Sequence, residues 1–379
     1  MTNIARKYDK ISYICKLDYL FMELYEHARP DLMAGKKLLF IHGFASSGQS
    51  GTVRSLRTLL PETEIVAPDV PTVPAEGAAM LKQLCEEEKP DLILGTSMGG
   101  MYAEQIKGFD RILVNPALQI GDTILKNIGL GRKEFHNPRA DGEISFLITK
   151  GTVEEFKEVT AHCFEGIDEM NVNFPNEGNY SEEQNRVYGL FGIHDELVHT
   201  YDLFAAHYPN AIRYDGEHSL NDKALLHSVL PVIQWIDDKQ EGRTKKTIFI
   251  SLEDTLADFR NNIPKGKKLL DCDPEPSAVK AFEMLSRKYD VRILASAPYN
   301  HPELWGEMVA WAEKWIGVPA WNRVIISNRK DLIMGDYVID RYADRYGLDN
   351  CLGTVLGYGK EPYHVWEDIL TFFDRLGGQ

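Results

Sequence analysis

The chain has 379 residues, 44% of them hydrophobic, and a formal net charge of -15. That length exceeds the usual single-domain size, so two domains are expected, and the charge works against nucleic acid or an anionic membrane as partner. The five scattered cysteines (Cys15, Cys85, Cys163, Cys272, Cys351) have no Cys-x-x-Cys spacing, which predicts reduced thiols in a cytoplasmic protein and neither a disulfide framework nor a zinc site.

No apolar stretch approaches the roughly 18 residues a membrane helix needs, and charges at Arg6, Lys7, Lys10, Lys16 and Asp18 interrupt any signal-peptide core. Residues 1–36 form an extension in which Ile14, Leu17, Phe21 and Leu24 recur at helical spacing, predicting one amphipathic helix docked on a domain. From Lys37, strand-like "KLLFI", "TEIVAP", "DLILG" and "RILVN" alternate with helix-like "TVRSLRTLL", "EGAAMLKQLCEE" and "MGGMYAEQI". That alternation indicates a parallel sheet covered on both faces. It breaks at about residue 118, where a polar segment with scattered aromatics (Phe135, Phe146, Phe156, Phe164, Phe174) runs to about 186. An insertion between two sheet strands is a natural place for a lid; a peripheral helical excursion unrelated to substrate is the plainer alternative. "VYGLFG", "AIRYDG" and the helical "NDKALLHSVLPVIQWI" then restore the alternation, closing a domain over 37–236. "DDKQEGRTKK", 237–246, is charged and aperiodic, and reads as a linker. Over 247–379, "TIFI", "VRILAS", "RVIIS" and "YVID" mark the strands of a second, smaller α/β unit.

One motif in the first domain carries chemistry. Gly95-Thr96-Ser97-Met98-Gly99 is a G-x-S-x-G run after an apolar strand and before a helix. So sharp a turn strains the central residue and lifts its hydroxyl above the sheet edge, at a helix N-terminus that favours developing negative charge. The plainer alternative is a glycine-rich turn with an incidental serine. A serine needs a base and an orienting acid. In the chain order Ser, acid, His, "GIHDELV" offers Asp195 and "DGEHSL" offers His218, each in a loop after a late strand. Glu196 and His194 are competitors on the first of those loops. For the oxyanion, the Met98 N–H follows the nucleophile, and Phe44 after His42-Gly43 is the second candidate donor. His42 itself reads as a brace for that loop.

"LLFIHGFASSGQSGTVRSL", "LILGTSMGGMYAEQI", "ILVNPA", "GIHDELV" and "DGEHSL" together resemble the small YqiA-like esterases of the α/β-hydrolase superfamily, over about residues 37–236. The resemblance implies a serine hydrolase of small-molecule carboxylic esters or thioesters that uses no cofactor. By position it makes Ser97, Asp195 and His218 the catalytic triad.

"TIFISLEDTLADF" opens the second domain, and Thr255 to Asp258 set its register. With "VRILASAPYNHPELWGEMVAWAEKWIG" and "ISNRKDLIMGDYVIDRY" it resembles the cytosolic deoxyribonucleotidases of the haloacid-dehalogenase (HAD) superfamily, over about 247–376. The resemblance implies Ser296 as a phosphate-binding hydroxyl, Lys330 as the cation steadying nucleophile and phosphate, and Asp336 and Asp340 as magnesium-side acids. Phosphoryl transfer in that family runs through an aspartyl-phosphate, yet the nucleophile position holds Ser251, which has no charge and no evident base. Glu253 replaces the general acid/base aspartate with a side chain one methylene longer. Arg341 stands where another aspartate is common. The domain therefore reads as a former phosphatase without a metal, retained as an interaction or regulatory module.

The expected fold class is thus α/β in two domains: an α/β-hydrolase fold with a helical lid insertion at about 118–186, then a smaller HAD-like Rossmannoid domain. Two other functions stay open on sequence alone. One is nucleotidase activity from an unusual site in the second domain; the other is a non-catalytic scaffold.

Overall fold

Runs of buried Leu, Ile and Val build two parallel sheets. A computed structural model of the chain describes residues 24–170, 180–345 and 347–376. The expected N-terminal amphipathic helix, apart from Leu24, lies outside the described residues, as do Phe174 and Cys15. The chain divides into two units, Met1–Asp237 and Asp238–Gln379.

In the first unit, β1 (Lys37–Ile41), β2 (Glu64–Val66), β3 (Leu92–Thr96), β4 (Arg111–Val114), β7 (Val187–Gly192) and β8 (Asn210–Tyr214) form one sheet in the order β2-β1-β3-β4-β7-β8. Every pairing is parallel. All loops after the strands therefore gather at one edge, and the chain reverses its direction of sheet growth between β1 and β3. Helices α1 (Gly51–Leu59), α2 (Pro74–Glu88) and α3 (Met98–Gln105) connect the early strands. The last connection starts helical at Asp222, opens into a π-turn at Leu225–Val229 and continues as α5 (Leu230–Gln240). Pro231 lies at that junction; it has no N–H for the α-helical bond, which accounts for the wider turn. The helix runs on through Gln240, so it takes the first residues of the expected linker.

The insertion is mixed rather than helical. It holds an antiparallel hairpin, β5 (Gly131–Glu134) with β6 (Ser145–Ile148), followed by α4 (Lys150–Thr160). Phe146, Phe156 and Val153 are buried in the first unit's core. The Phe44 ring packs edge-on against Phe146 and Phe156, at centroid distances of 5.3 and 5.9 Å. The segment is not peripheral, because its aromatics hold the loop after β1.

The second unit repeats the logic on a smaller scale. Strands β9 (Thr247–Ser251), β10 (Asp290–Ala295), β11 (Val324–Ile326), β12 (Tyr337–Asp340) and β13 (Thr354–Gly357) run parallel in the order β11-β10-β9-β12-β13. Helices α6 (Ala278–Ser286), α7 (Glu303–Trp315) and α8 (Trp366–Arg375) cover them, burying Trp311 and Trp366 fully. The four described cysteines are free thiols. Among the described residues, no helix is long and apolar enough to cross a membrane.

Candidate active site

Ser97 joins β3 to α3 with φ 52° and ψ -114°. A non-glycine residue pays of order 1–3 kcal/mol to sit in such a region, so its surroundings must impose it. They do so by leaving no room: a Cβ on Gly95 would meet the Gly99 carbonyl oxygen at 2.3 Å, and one on Gly99 the Ile41 carbonyl oxygen at 2.0 Å. The Ser97 N–H donates to Val114 O (2.9 Å), and its carbonyl accepts from Ala117 N–H (3.0 Å).

Asp195 follows β7 and His218 follows β8, so the parallel sheet delivers both to the edge where Ser97 stands. His218 Nε2 lies 3.0 Å from Ser97 Oγ, and His218 Nδ1 lies 2.8 Å from Asp195 Oδ2. Asp195 is buried. Its Oδ1 accepts the N–H groups of Leu197 (2.8 Å) and Val198 (3.0 Å). Burial pushes the Asp195 carboxyl up, but the His218 hydrogen bond and these N–H donors outweigh it and hold it below the usual carboxylate range. A carboxylate at Nδ1 favours the tautomer whose Nε2 lone pair faces the serine hydroxyl.

The competitors go elsewhere. His194 Nε2 is 3.2 Å from exposed Asp215 Oδ1, and Glu196 is exposed. His42 braces its loop: Nδ1 meets Gly43 O at 2.8 Å, and Nε2 accepts from Val70 N–H at 3.0 Å. Burial lowers its pKa, keeping it neutral. The N–H groups of Phe44 and Met98 have no acceptor among the described residues, and Met98 opens α3, where the helix dipole adds positive potential.

Sequence reasoning missed Asn115. It directly follows β4, at φ 46°, and is buried. Its Nδ2 donates to Glu217 O (2.9 Å) and His218 O (3.0 Å), while Oδ1 accepts from Gly192 N–H (2.8 Å). One side chain thus ties together the loops of Asp195 and His218. The quoted "ILVNPA" contained it, but nothing in that string marks a left-handed asparagine.

An open cavity of about 1160 Å³ lies over Ser97 and His218. Phe44, Ile120, Ile128 and Val198 are among its apolar walls, and the insertion supplies one side of it.

The second unit gathers another cluster at the strand ends. Lys330, 1% exposed, donates to Ser251 Oγ (2.9 Å), Asp340 Oδ2 (2.9 Å) and Glu253 Oε2 (3.1 Å). Those three acceptors match the three N–H donors of an ammonium. Burial pushes the lysine pKa down, yet the Glu253 and Asp340 charges more than reverse it. Burial raises the Glu253 carboxyl, and the pull of Lys330 offsets only part of that. The Ser296 N–H donates to Glu253 Oε1, and the Ser296 hydroxyl donates to Ser327 O at 3.1 Å.

Two expectations need correction. Ser251 does have a carboxylate beside it, since its hydroxyl donates to Asp340 Oδ2; β9 and β12 are neighbours, which lines up their last residues. Asp336 does not join the cluster. It precedes β12, its carboxylate accepts from Thr247 N–H at 2.8 Å, and so it sits at the opposite sheet edge, a four-residue strand of about 13 Å away from Asp340. Arg341 turns to the Asp254 carbonyl (2.5 Å) and to Glu275 (3.5 Å). The magnesium that the HAD resemblance implies does not fit these residues. Ser251 lacks the ligand charge, and the buried ammonium already holds the remaining carboxylates. Among the described residues, no group of three or more His, Cys, Asp or Glu could hold a metal ion.

The first unit is thus a parallel α/β domain with a Ser–His–Asp hydrogen-bond run at its strand ends, and the second a smaller parallel α/β domain with a buried ion cluster there. Residues 37–225 match the sequence model of an uncharacterised protein family (UPF0227), and residues 251–354 match that of the 5' nucleotidase, deoxy (pyrimidine), cytosolic type C proteins. A "Putative 5'(3')-deoxyribonucleotidase" of Vibrio phage KVP40 is 27% identical over 151 residues, 35% of this chain and 88% of the phage protein. A Bordetella pertussis protein of the same name is 38% identical over 71 residues, 18% of this chain and 38% of that protein. Among solved structures, a thioesterase domain from the curacin biosynthetic pathway aligns at 15% identity and TM-score 0.31, covering 55% of this chain and 92% of that one. The esterase domain of a Rhodothermus marinus protein aligns at 16% and 0.32, covering 53% and 86%. Likeness at that level does not decide chemistry.

Proposed function

We propose that the first unit is a serine esterase acting on carboxylic esters or thioesters. His218 Nε2 takes the Ser97 proton as Oγ attacks the acyl carbon. Asp195 orients the imidazole and stabilises its charged form, while the Phe44 and Met98 N–H groups receive the oxyanion, each such donor being worth on the order of 3 kcal/mol. His218 then protonates the departing alcohol or thiol. Water, activated by the same imidazole, releases the acid and restores Ser97.

The observation that carries this reading is the unbroken hydrogen-bond run Ser97–His218–Asp195, at 3.0 and 2.8 Å. The test is hydrolysis of p-nitrophenyl butyrate by the full chain. Ser97→Ala is expected to lose at least about a thousandfold in kcat; undiminished turnover would reject the esterase.

We read the second unit as a catalytically impaired phosphatase fold. Ser251 is fully buried and engaged on both sides by Lys330 and Asp340, which leaves it neither exposed nor free to attack phosphorus. Magnesium-dependent phosphate release from deoxynucleoside monophosphates, lost in Lys330→Ala, would overturn that reading.

A further inference from the structure

The cavity over Ser97 has a charge balance opposite to that of the chain. The chain carries -15, yet three cations, Arg54, Arg132 and Lys133, line this cavity against two carboxylates, Glu134 and Asp222. Among the described residues none of the three cations has a carboxylate within ion-pair distance. Arg54 donates to the Gln49 carbonyl (2.9 Å), Arg132 to the Ser145 hydroxyl (2.9 Å) and Lys133 to the Ile128 carbonyl (2.8 Å). Elsewhere in this unit Arg111, Arg139 and Arg186 each pair with an acid. A guanidinium offers five donors, so one bond to a neutral group leaves most of them for a ligand.

The two lining carboxylates offset only part of this field. Asp222 accepts the Ser55 hydroxyl at 2.7 Å, and Glu134 is exposed on the hairpin as Arg132 is, so three cations against two carboxylates leave a net positive charge in the lining. The first turn of α1 adds to the positive side. Gly51, Thr52 and Arg54 stand in the cavity wall. The N-cap Ser50 makes no side-chain cap bond, and its buried hydroxyl has no partner. The leading N–H groups of that helix therefore keep their partial positive charge. A neutral acyl chain would satisfy the apolar walls and leave these cations without a counter-charge.

We propose that the substrate carries an anionic group, a carboxylate or a phosphate, bound in this cavity by Arg54, Arg132 and Lys133 while its acyl carbon faces Ser97. The position of the scissile bond rests on the esterase reading; the anion preference does not, and binding measures it separately. The probes are amides that withstand turnover: N-(4-nitrophenyl)glutaramate, N-(4-nitrophenyl)-4-phosphonobutyramide and the neutral N-(4-nitrophenyl)butyramide. They are titrated by calorimetry into the full chain and into Ser97→Ala.

At low salt at least one anionic amide is expected to bind about tenfold tighter than the neutral one, the sum of a few partly exposed charge contacts. Which of the two gains more tells carboxylate from phosphate. Raising the salt to about 1 M, where the screening length falls to about 3 Å, is expected to erase the advantage in the unaltered protein. The variant R54Q/R132Q/K133Q is expected to lose it at low salt, with circular dichroism reporting its fold. Equal or weaker binding of both anionic amides by the unaltered chain, or a preference indifferent to salt, would overturn the proposal. Failure of the esterase reading would show elsewhere, as ester turnover that survives Ser97→Ala, and would leave the amide affinities as they are.

Discussion

Ser97 holds a backbone conformation it would not choose, and the glycines on either side of it are what let the turn close. Asp195 does comparable work on the imidazole side. Its carboxyl lies below the usual range, so the sign of its linkage follows. Its pairing contributes stability that is fully present above the unfolded value of about 3.9 and is lost as pH falls through the lower folded value. From pH 5 to 8 it stays ionised, and any fall of kcat/KM in that window belongs to another group. Asp195→Asn keeps the shape and removes the charge that fixes the tautomer. We expect kcat to fall on the order of 10⁴-fold with little change in KM. A loss under about tenfold would mean that the carboxylate does not act on His218.

At the scale of elements, function depends on loops that separate strands deliver to one edge, and Asn115 is the tie between two of them. Asn115→Ala removes two donors to the His218 loop and one acceptor from the Gly192 N–H. Lost buried hydrogen bonds cost about 1–3 kcal/mol of stability. Displacing the imidazole by about 1 Å costs up to about 100-fold in rate. The expected signature of a positioning residue is a fall in kcat with KM held. A thermal midpoint that drops while kcat stays intact would reduce Asn115 to a packing role.

The strands that read clearly from sequence were those whose apolar runs are buried on both faces, such as "KLLFI" and "DLILG". The hairpin did not read, because "GRKE" has no alternation of apolar residues and is held by its partner strand, whose Phe146 packs on Phe44. β13 escaped for a related reason: "TVLG" is four residues flanked by glycine. Ser97, Asp195 and His218 were legible because motif and chain order converge on them. Asn115 was not, since its role comes from a backbone conformation and two distant carbonyls. Asp336 misled because its place in the motif says nothing of which sheet edge it reaches.

At the scale of the whole molecule, two parallel sheets share one building rule and differ in what stands at their strand ends. In the first unit Ser97 is partly open to a large cavity. In the second, the equivalent edge closes on its own ion cluster. Removing the lysine from that cluster leaves two buried carboxylates facing each other, so Lys330→Met is expected to destabilise the second unit by about 3–5 kcal/mol. Urea unfolding followed through the fluorescence of buried Trp311 and Trp366 reads this directly, and an unchanged midpoint would show that the cluster is not held by the ammonium.

The most direct measurement is labelling of the full chain with a fluorophosphonate, followed by peptide mass mapping. The account predicts a single phosphonyl adduct on Ser97, slowed in His218→Ala and absent in Ser97→Ala. An unlabelled chain, or an adduct on any other serine that persists in Ser97→Ala, would contradict it.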